Sequence, residues 1–464
     1  VLVMSLTGYA WAAMQGLVNG LSVTDVIDSN AAAGGDKPAD GARDILLVGM
    51  DSRTDAQGNP LSQEVLDELN AGQSDGELNT DTLIMVHIPN DGSKAVAISL
   101  PRDSYVSIPG YGQHKINSAY ADGYVKQREA LTKQGDTDQK DIIQQSNQAG
   151  AKLLIATIEQ LTGSTIDNYA SINLLGFSDI TKAIGGVQVC LKDNVNDSYS
   201  GANFTKGEHT ISGVQALQFV RQRHGLPRGD LDRVVRQQVF MASMAKQVLS
   251  AGTLVNPGKL TGLIDSIKKS VVLNQNWDIL SFAQQMKGLT GGQLEFQTIP
   301  VVNPDYSTPH DGSAVQIDPQ AVRAFVQGTT AAPGAPAANP NKATTIDVDN
   351  GTGKSGLAAS VSQALVAKGF TGGQTANANA RKTTAVHVPI GQKSVGQAVA
   401  TALGSNAVVV EDKAVLVGHA LVLVGSDYSP TVKADAPAAP PVSSPAAPPP
   451  DDQTITANGV TCVN

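Results

Sequence analysis

The sequence predicts an α/β protein: a layered α-β-α domain with a central mixed sheet over residues 42–328, then a small α/β domain over 344–428. Three observations predict it. Short, nearly continuous apolar runs alternate with stretches of helical periodicity, as expected for strands covered by helices. An Ala/Pro/Gly interval at 329–343 separates two such alternations. A chain of 464 residues is also long enough for two or three domains.

The first strand signal is Asp44–Met50, followed by a polar insertion containing Gly58-Asn-Pro60 and Gly72–Gly76. Thr82–Ile88 and Lys94–Leu100 are the next apolar runs, joined by the turn residues Pro89-Asn-Asp-Gly92. Asp141–Leu161 carries an apolar stripe at Ile142, Ala149, Leu153, Ala156, Ile158 and Leu161, and predicts a helix. Asn168–Asn173 and Val187–Leu191 read as strands flanking another helix, Ser212–Val220 and Leu231–Leu249 as helices, and Leu294–Val301 as a late strand. In the second unit, Thr344–Val348 is a strand and Leu357–Lys368 a helix, with further strands near Ala385–Pro389, Ala407–Glu411 and Ala420–Val424. Residues 429–453 are proline-rich and expected to be extended. A short tail, 454–464, carries Cys462.

Charge narrows the class of partner. The net charge is −9, which argues against general nucleic-acid binding. Yet Arg221-Gln-Arg-His-Gly-Leu-Pro-Arg-Gly-Asp-Leu-Asp-Arg-Val-Val-Arg236 holds five arginines in sixteen residues. Such a cluster repels itself unless an anion or carboxylates neutralise it, so it points to a small, defined anionic ligand. Val1–Val18 has no charge, is mildly apolar and carries Tyr9 and Trp11; residues 1–24 are read as the remnant of an N-terminal membrane anchor, with 25–41 a linker. Cys190 and Cys462 lack metal-type spacing; outside the membrane they can pair. So long a loop would contribute at most roughly 5 kcal/mol in the chain-entropy model.

Three segments at strand ends can share one site with the arginine run: Asp51-Ser-Arg53 after the first strand, Asn79-Thr-Asp-Thr82 before the second, and Ser99-Leu-Pro-Arg-Asp-Ser104 after the third. Asp51 and Asp81 on neighbouring strands would suit Mg²⁺ (or Mn²⁺), which prefers a few carboxylates plus phosphate oxygens and water. A carboxylate-held cation beside an arginine clamp is equipment for phosphoryl transfer. Asp230 stands where a helix N-cap is expected and Asp232 lies in the first turn. Val235, Val239, Ala242 and Leu249 mark the apolar face, so Arg233, Arg236 and Gln237 are expected on the other side. The helix N-terminus itself favours an anion.

In these residues the chain resembles the LytR–CpsA–Psr family of cell-wall glycopolymer ligases. The matching pieces are Leu46–Arg53, Asp81–Val86, Ser99–Ser104, His114–Tyr120, Gly185–Val189, and Arg221-Gln-Arg223 with Asp230–Gln238. Residues 346–358 look like the start of the LytR-type C-terminal domain of actinobacterial members. The resemblance implies a membrane-anchored, extracytoplasmic phosphotransferase. It would move a glycopolymer, arabinogalactan foremost, from a polyprenyl-pyrophosphate carrier to the muramic acid 6-hydroxyl of peptidoglycan. By position, Asp51 and Asp81 would hold Mg²⁺. Arg53, Arg102, Arg221, Arg223, Arg233 and Arg236 would surround the pyrophosphate with Gln237 alongside, and Asp230 or Asp232 would orient the arginines or take the acceptor's proton. Two departures stand out: Asn79-Thr80 replace the Arg-Ser of many relatives, and the insertion between Asp51 and Asp81 is long.

Other readings have less support. A polyprenyl-pyrophosphate phosphatase would differ only in using water as acceptor, and a non-catalytic binder of anionic lipid or wall polymer would retain ligand without turnover. Gly351-Thr-Gly-Lys-Ser355 imitates a P-loop, but Val348 stands where its first glycine belongs, so it reads as a tight turn and no nucleotide is expected. His87 and His224 read as structural, although His224 lies within the arginine loop and can contact phosphate.

Overall fold

The computed structural model describes residues 21–27, 42–56, 59–69, 78–89, 93–248, 257–277, 294–330, 341, 344–389, 392–404, 407–416, 418–428, 455–456 and 461–464. Most of the expected anchor and both linkers, the proline-rich 429–453 segment, and Leu249 lie outside these residues. No helix among the described residues is long and apolar enough to cross a membrane.

Eight strands form the central sheet. Their spatial order is Ser22–Thr24, Val271–Asn274, Asn168–Ile172, Arg43–Met50, Thr80–Ile88, Ala95–Ser99, Leu294–Thr298 and Ile455–Thr456. The sheet is mixed: Arg43–Met50 runs parallel to Asn168–Ile172 but antiparallel to Thr80–Ile88. Leu46, Val48, Leu83, Met85 and Ile98 enter one core, whereas Leu47, Ile84, Val86, Ala97 and Phe296 enter the other. Burial of both faces explains why the strands read as continuous apolar runs rather than alternating ones.

Helices Ser118–Lys133, Gln139–Thr162 and Pro319–Thr330 close the first core. Leu174–Ala183, Val214–Arg221, Asp230–Val248 and Pro257–Ser270 cover the second. Gln139–Thr162 begins where Asp138 accepts from the N–H groups of Lys140 and Asp141, and stops at Gly163 with φ 77°. Ser118–Lys133 buries Ala119, Tyr120, Tyr124 and Leu131 and approaches Gln139–Thr162 most closely at glycines. A Cβ on Gly123 would sit 2.7 Å from the Ala149 carbonyl oxygen, and one on Gly150 2.6 Å from that of Tyr120.

The small C-terminal unit is a five-stranded sheet ordered Thr371–Asn377, Thr345–Asn350, His419–Val424, Ala385–Val388 and Val408–Glu411, with helices Leu357–Val366 and Lys393–Leu403. Thr371–Asn377 was not expected as a strand, since all its side chains are exposed. In the P-loop-like turn, Asn350 accepts from Thr352 N and donates through Nδ2 to the Lys354 carbonyl at 2.6 Å. That side chain closes the turn on itself.

The tail returns to the large domain. Ile455–Thr456 adds an antiparallel edge to Leu294–Thr298, and Cys462–Val463 runs parallel to Val187–Leu191. Cys462 stands opposite Cys190 in that register, and the two form a disulfide with Cα atoms 4.3 Å apart and a sequence separation of 272. Replacing either cysteine by serine is expected to cost about 2–5 kcal/mol in urea unfolding under non-reducing conditions. Dithiothreitol should lower the wild type by the same amount and leave the variants unchanged.

Candidate active site

The site starts from strand register. Gly49 pairs with Thr82 and Met50 with Thr80, so Asp81 is the extra residue of a β-bulge. A bulge re-aims the side chain it carries. The sequence placed Asp81 just before its strand; the strand instead begins at Thr80 and takes Asp81 into its irregular first turn of pairing. A Cβ on Gly49 would lie 3.0 Å from Thr82 Cβ, so a bare backbone suits the close approach there. Asp51 then donates its N–H to Asn79 O at 3.0 Å, and both Asp51 and Asp81 line one cavity.

Around the two carboxylates the cations are paired. Arg53 Nη1 lies 3.2 Å from Asp51 Oδ1, and Arg102 pairs with Asp81. Burial, then the neighbouring Asp81, raises the Asp51 carboxyl above the ordinary aspartate range, against the pull of Arg221, Arg53 and Arg102. Burial pulls Arg102 down, but Asp81, Asp103 and Asp230 outweigh it and raise its pKa. Arg233, almost fully buried, is lowered by burial in spite of Asp230, whose Oδ1 is 2.6 Å from Arg233 Nη2.

The arginine run does not act as one surface. Arg221, Arg233 and Gln237 line the cavity with Asp51 and Asp81. Arg223 stands beside them, 3.2 Å from Asp230 and 3.5 Å from Asp103. Asp230 is the first helical residue rather than the cap, and its carboxylate serves Arg223 and Arg233. Asp232 accepts from Arg228 through both N (2.9 Å) and Nε (2.7 Å), so it orients Arg228.

Arg236 departs from expectation. It is fully buried, donates through Nε to the main-chain oxygen of Asn464, and lies over the Phe219 ring at 5.0 Å. It is not among the residues lining the cavity, and burial pulls its pKa down to about 10. The helix therefore presents Arg233 and Gln237 to the cavity and Arg236 to the tail. Assigning all three to one polar side failed because the whole N-terminal part of this helix is enclosed.

Two participants are not singled out by the sequence. Asp103 gathers Arg102, Arg223 and Lys115, the last at 3.5 Å. Gln238 Nε2 lies within hydrogen-bond distance of Ser99 Oγ (2.9 Å), Thr298 Oγ1 (2.8 Å) and Gln297 O (3.1 Å), three acceptors sharing its two N–H groups, and so fastens the arginine helix to two strand ends. Their signals were present: Asp103 adjoins Arg102, and Gln238 follows Gln237. His87 is a core residue, 2.7 Å from Asp44.

The cavity has a volume of about 280 Å³. Most of its wall is apolar, including Leu47, Ile84, Ile172, Phe177, Phe240 and Met241, and the charged groups above complete it. Such a lining suits an amphiphile with an anionic head.

An α/β domain with a central mixed sheet and an arginine- and carboxylate-bearing apolar cavity is the class that fold and site define. The LytR_cpsA_psr family model matches residues 19–327, and a second model, described as LytR cell envelope-related transcriptional attenuator, matches 343–428. The chain belongs to the LytR–CpsA–Psr family, with the accompanying LytR-type C-terminal domain. It is 47% identical over 333 residues to the cell wall biosynthesis protein LcpA of Corynebacterium glutamicum, covering 70% of this chain and 63% of that protein. It is 32% identical over 226 residues to the polyisoprenyl-teichoic acid–peptidoglycan teichoic acid transferase TagU of Oceanobacillus iheyensis, covering 48% of this chain and 57% of that one. The matched region thus spans less than two thirds of either relative. Among solved structures, a LytR-Csp2A-Psr enzyme from Actinomyces oris aligns with a TM-score of 0.45 at 16% identity, over 66% of this chain and 94% of that one.

The cavity can be tested by filling it. Met241→Trp is expected to weaken binding of an apolar fluorescent dye by roughly tenfold or more, because the indole occupies the volume the dye requires. Circular dichroism should show the fold retained; unchanged dye binding would place the apolar site elsewhere.

Proposed function

We propose that this chain transfers a glycopolymer from a polyprenyl-pyrophosphate carrier to the muramic acid 6-hydroxyl of peptidoglycan, with arabinogalactan the favoured polymer. The observation carrying this reading is that one cavity combines an apolar wall with Asp51, Asp81, Arg221, Arg233 and Gln237. An isoprenoid tail fits the wall, and a pyrophosphate fits the cations. Kinship with LcpA and TagU, whose names place them in wall biosynthesis and in teichoic acid transfer to peptidoglycan, supports the same polymer class. The reading places the chain on the extracytoplasmic side of the membrane, where its disulfide is compatible with an oxidising surrounding.

The residues fit a divalent cation. Burial and the neighbouring Asp81 disfavour ionisation of the half-buried Asp51 carboxyl, and its Oδ1 receives no hydrogen bond among the described residues. No cluster of three or more His, Cys, Asp or Glu side chains occurs among the described residues, so phosphate oxygens and water would complete the shell. Asp51 and Asp81 would hold Mg²⁺, which would supply neutralisation of pyrophosphate charge.

In the transfer, the acceptor hydroxyl oxygen bonds to the sugar-bearing phosphorus while the bond from that phosphorus to the bridging oxygen breaks. Polyprenyl phosphate departs with the electron pair. Arg221 and Arg233 hold the phosphate oxygens, and Arg102 and Arg53 balance the carboxylates beside them. Asp230 orients Arg223 and Arg233, and its Oδ2, which makes no hydrogen bond among the described residues, takes the acceptor's proton.

With Mg²⁺ and a polyprenyl pyrophosphate, the protein should release polyprenyl phosphate, with water standing in for the acceptor. Arg221→Ala or Arg102→Ala is expected to lower this turnover by about 10²–10³-fold with the fold intact; full turnover in both would overturn the arginine clamp. Protons compete with the metal for Asp51. Its raised pKa means that Mg²⁺-induced thermal stabilisation should be full at neutral pH and disappear on acidification above the ordinary aspartate range. Asp51→Asn should abolish the Mg²⁺ effect at every pH, as read by differential scanning fluorimetry.

A further inference from the structure

Beside the arginines lies a pair of rings that pyrophosphate binding leaves unused. Tyr199, at the tip of the hairpin formed by Val195–Asp197 and Ala202–Phe204, is 77% exposed. It is the sole aromatic among the exposed large hydrophobic side chains of the described residues. Its ring stacks on that of His224, with centroids 4.0 Å apart and planes at 25°.

Both rings are held from beneath. The buried Asp197 accepts from Tyr199 N (3.0 Å) and Ser200 Oγ (2.7 Å), setting the hairpin turn, and lies 3.9 Å from His224 Nδ1. The buried Gln222 donates through Nε2 to the His224 carbonyl at 3.1 Å. Single exposed apolar side chains are ordinary. A stacked pair whose two loops are each fastened by a buried polar residue is different, because ordering side chains that remain in solvent costs entropy and recovers little burial.

Position adds the second half of the argument. His224 directly follows Arg223, which pairs with Asp230; Asp230 pairs with Arg233, and Arg233 lines the cavity. The rings therefore continue the charged rim toward solvent. One face of Tyr199 meets His224 and the opposite face is open.

We propose that Tyr199 and His224 form a stacking platform for a pyranose ring next to the pyrophosphate. The face of a phenol ring is electron-rich, and the axial C–H groups of a sugar present an apolar, weakly positive surface that matches it. Arg223, adjoining His224 in sequence, offers N–H donors to sugar hydroxyls. This rests on the phosphotransfer reading, which leaves two sources for such a ring: the first sugar of the donor glycopolymer, or the acceptor glycan.

The test compares wild type, Tyr199→Ala and Tyr199→Phe of the full chain. Substrates are a saccharide-bearing polyprenyl pyrophosphate, the same lipid pyrophosphate without sugar, and a soluble peptidoglycan fragment as acceptor. Tyr199→Ala should raise KM for one saccharide substrate by roughly tenfold, with Tyr199→Phe restoring it. A rise for the donor identifies the donor sugar; a rise for the fragment identifies the acceptor. Unchanged KM for both saccharides, or an equal rise for the sugar-free lipid, overturns the platform while wild-type turnover still supports phosphotransfer. Absence of wild-type turnover with every pyrophosphate overturns the phosphotransfer reading itself, and the platform with it.

Discussion

The structure depends on keeping opposite charges paired beside an apolar cavity. Arginines removed from water are costly unless carboxylates lie within reach, and each carboxylate here answers to a particular cation. Asp51 serves Arg53, Asp81 serves Arg102, Asp230 serves Arg223 and Arg233, and Asp103 gathers Arg102, Arg223 and Lys115. The pairing requires side chains from distant parts of the chain to arrive at one sheet edge. The bulge at Asp81, the missing side chain at Gly49 and the hydrogen-bonding contacts of Gln238 Nε2 accomplish this. An entering anion meets cations already oriented, which limits the reorganisation its binding requires.

The layered fold was legible in the sequence because its strands are buried on both faces. Arg43–Met50, Thr80–Ile88 and Ala95–Ser99 announce themselves as apolar runs whatever their neighbours. Elements with little apolar periodicity were not legible. Ser118–Lys133 meets its partner through Gly123 and the backbone, and Thr371–Asn377 exposes every side chain. Strand order across the sheet, which joins Leu294–Thr298 to Ala95–Ser99, depends on long-range pairing that periodicity cannot express.

The site was legible as a set of segments and less so as a set of roles. Spacing alone brought Asp51, Asp81, Arg221, Arg233 and Gln237 into consideration, and all of them line the cavity. It could not separate Arg233 from Arg236, three residues apart on one helix. Arg233 faces Asp230, whereas Arg236 rests on Phe219 and reaches Asn464. Which way each points follows from the packing of Val214–Arg221 and the tail on either side of that helix. Asp103 was passed over because a carboxylate next to an arginine in sequence looks like a local pair, whereas here it also collects Arg223 and Lys115 from elsewhere.

The return of the tail changes how the C-terminal unit is attached. Because Cys462 is bonded to Cys190, residues 344–428 lie within a covalent ring, joined to the large domain from both directions. A single backbone cut between 429 and 453 would separate neither the unit nor the tail from the rest of the molecule. Full release of the unit requires two cuts, one on each side of it, or one cut at 329–343 together with opening of the disulfide and undocking of the tail. The molecule thereby keeps its parts together after a nick that would divide a chain with a free end.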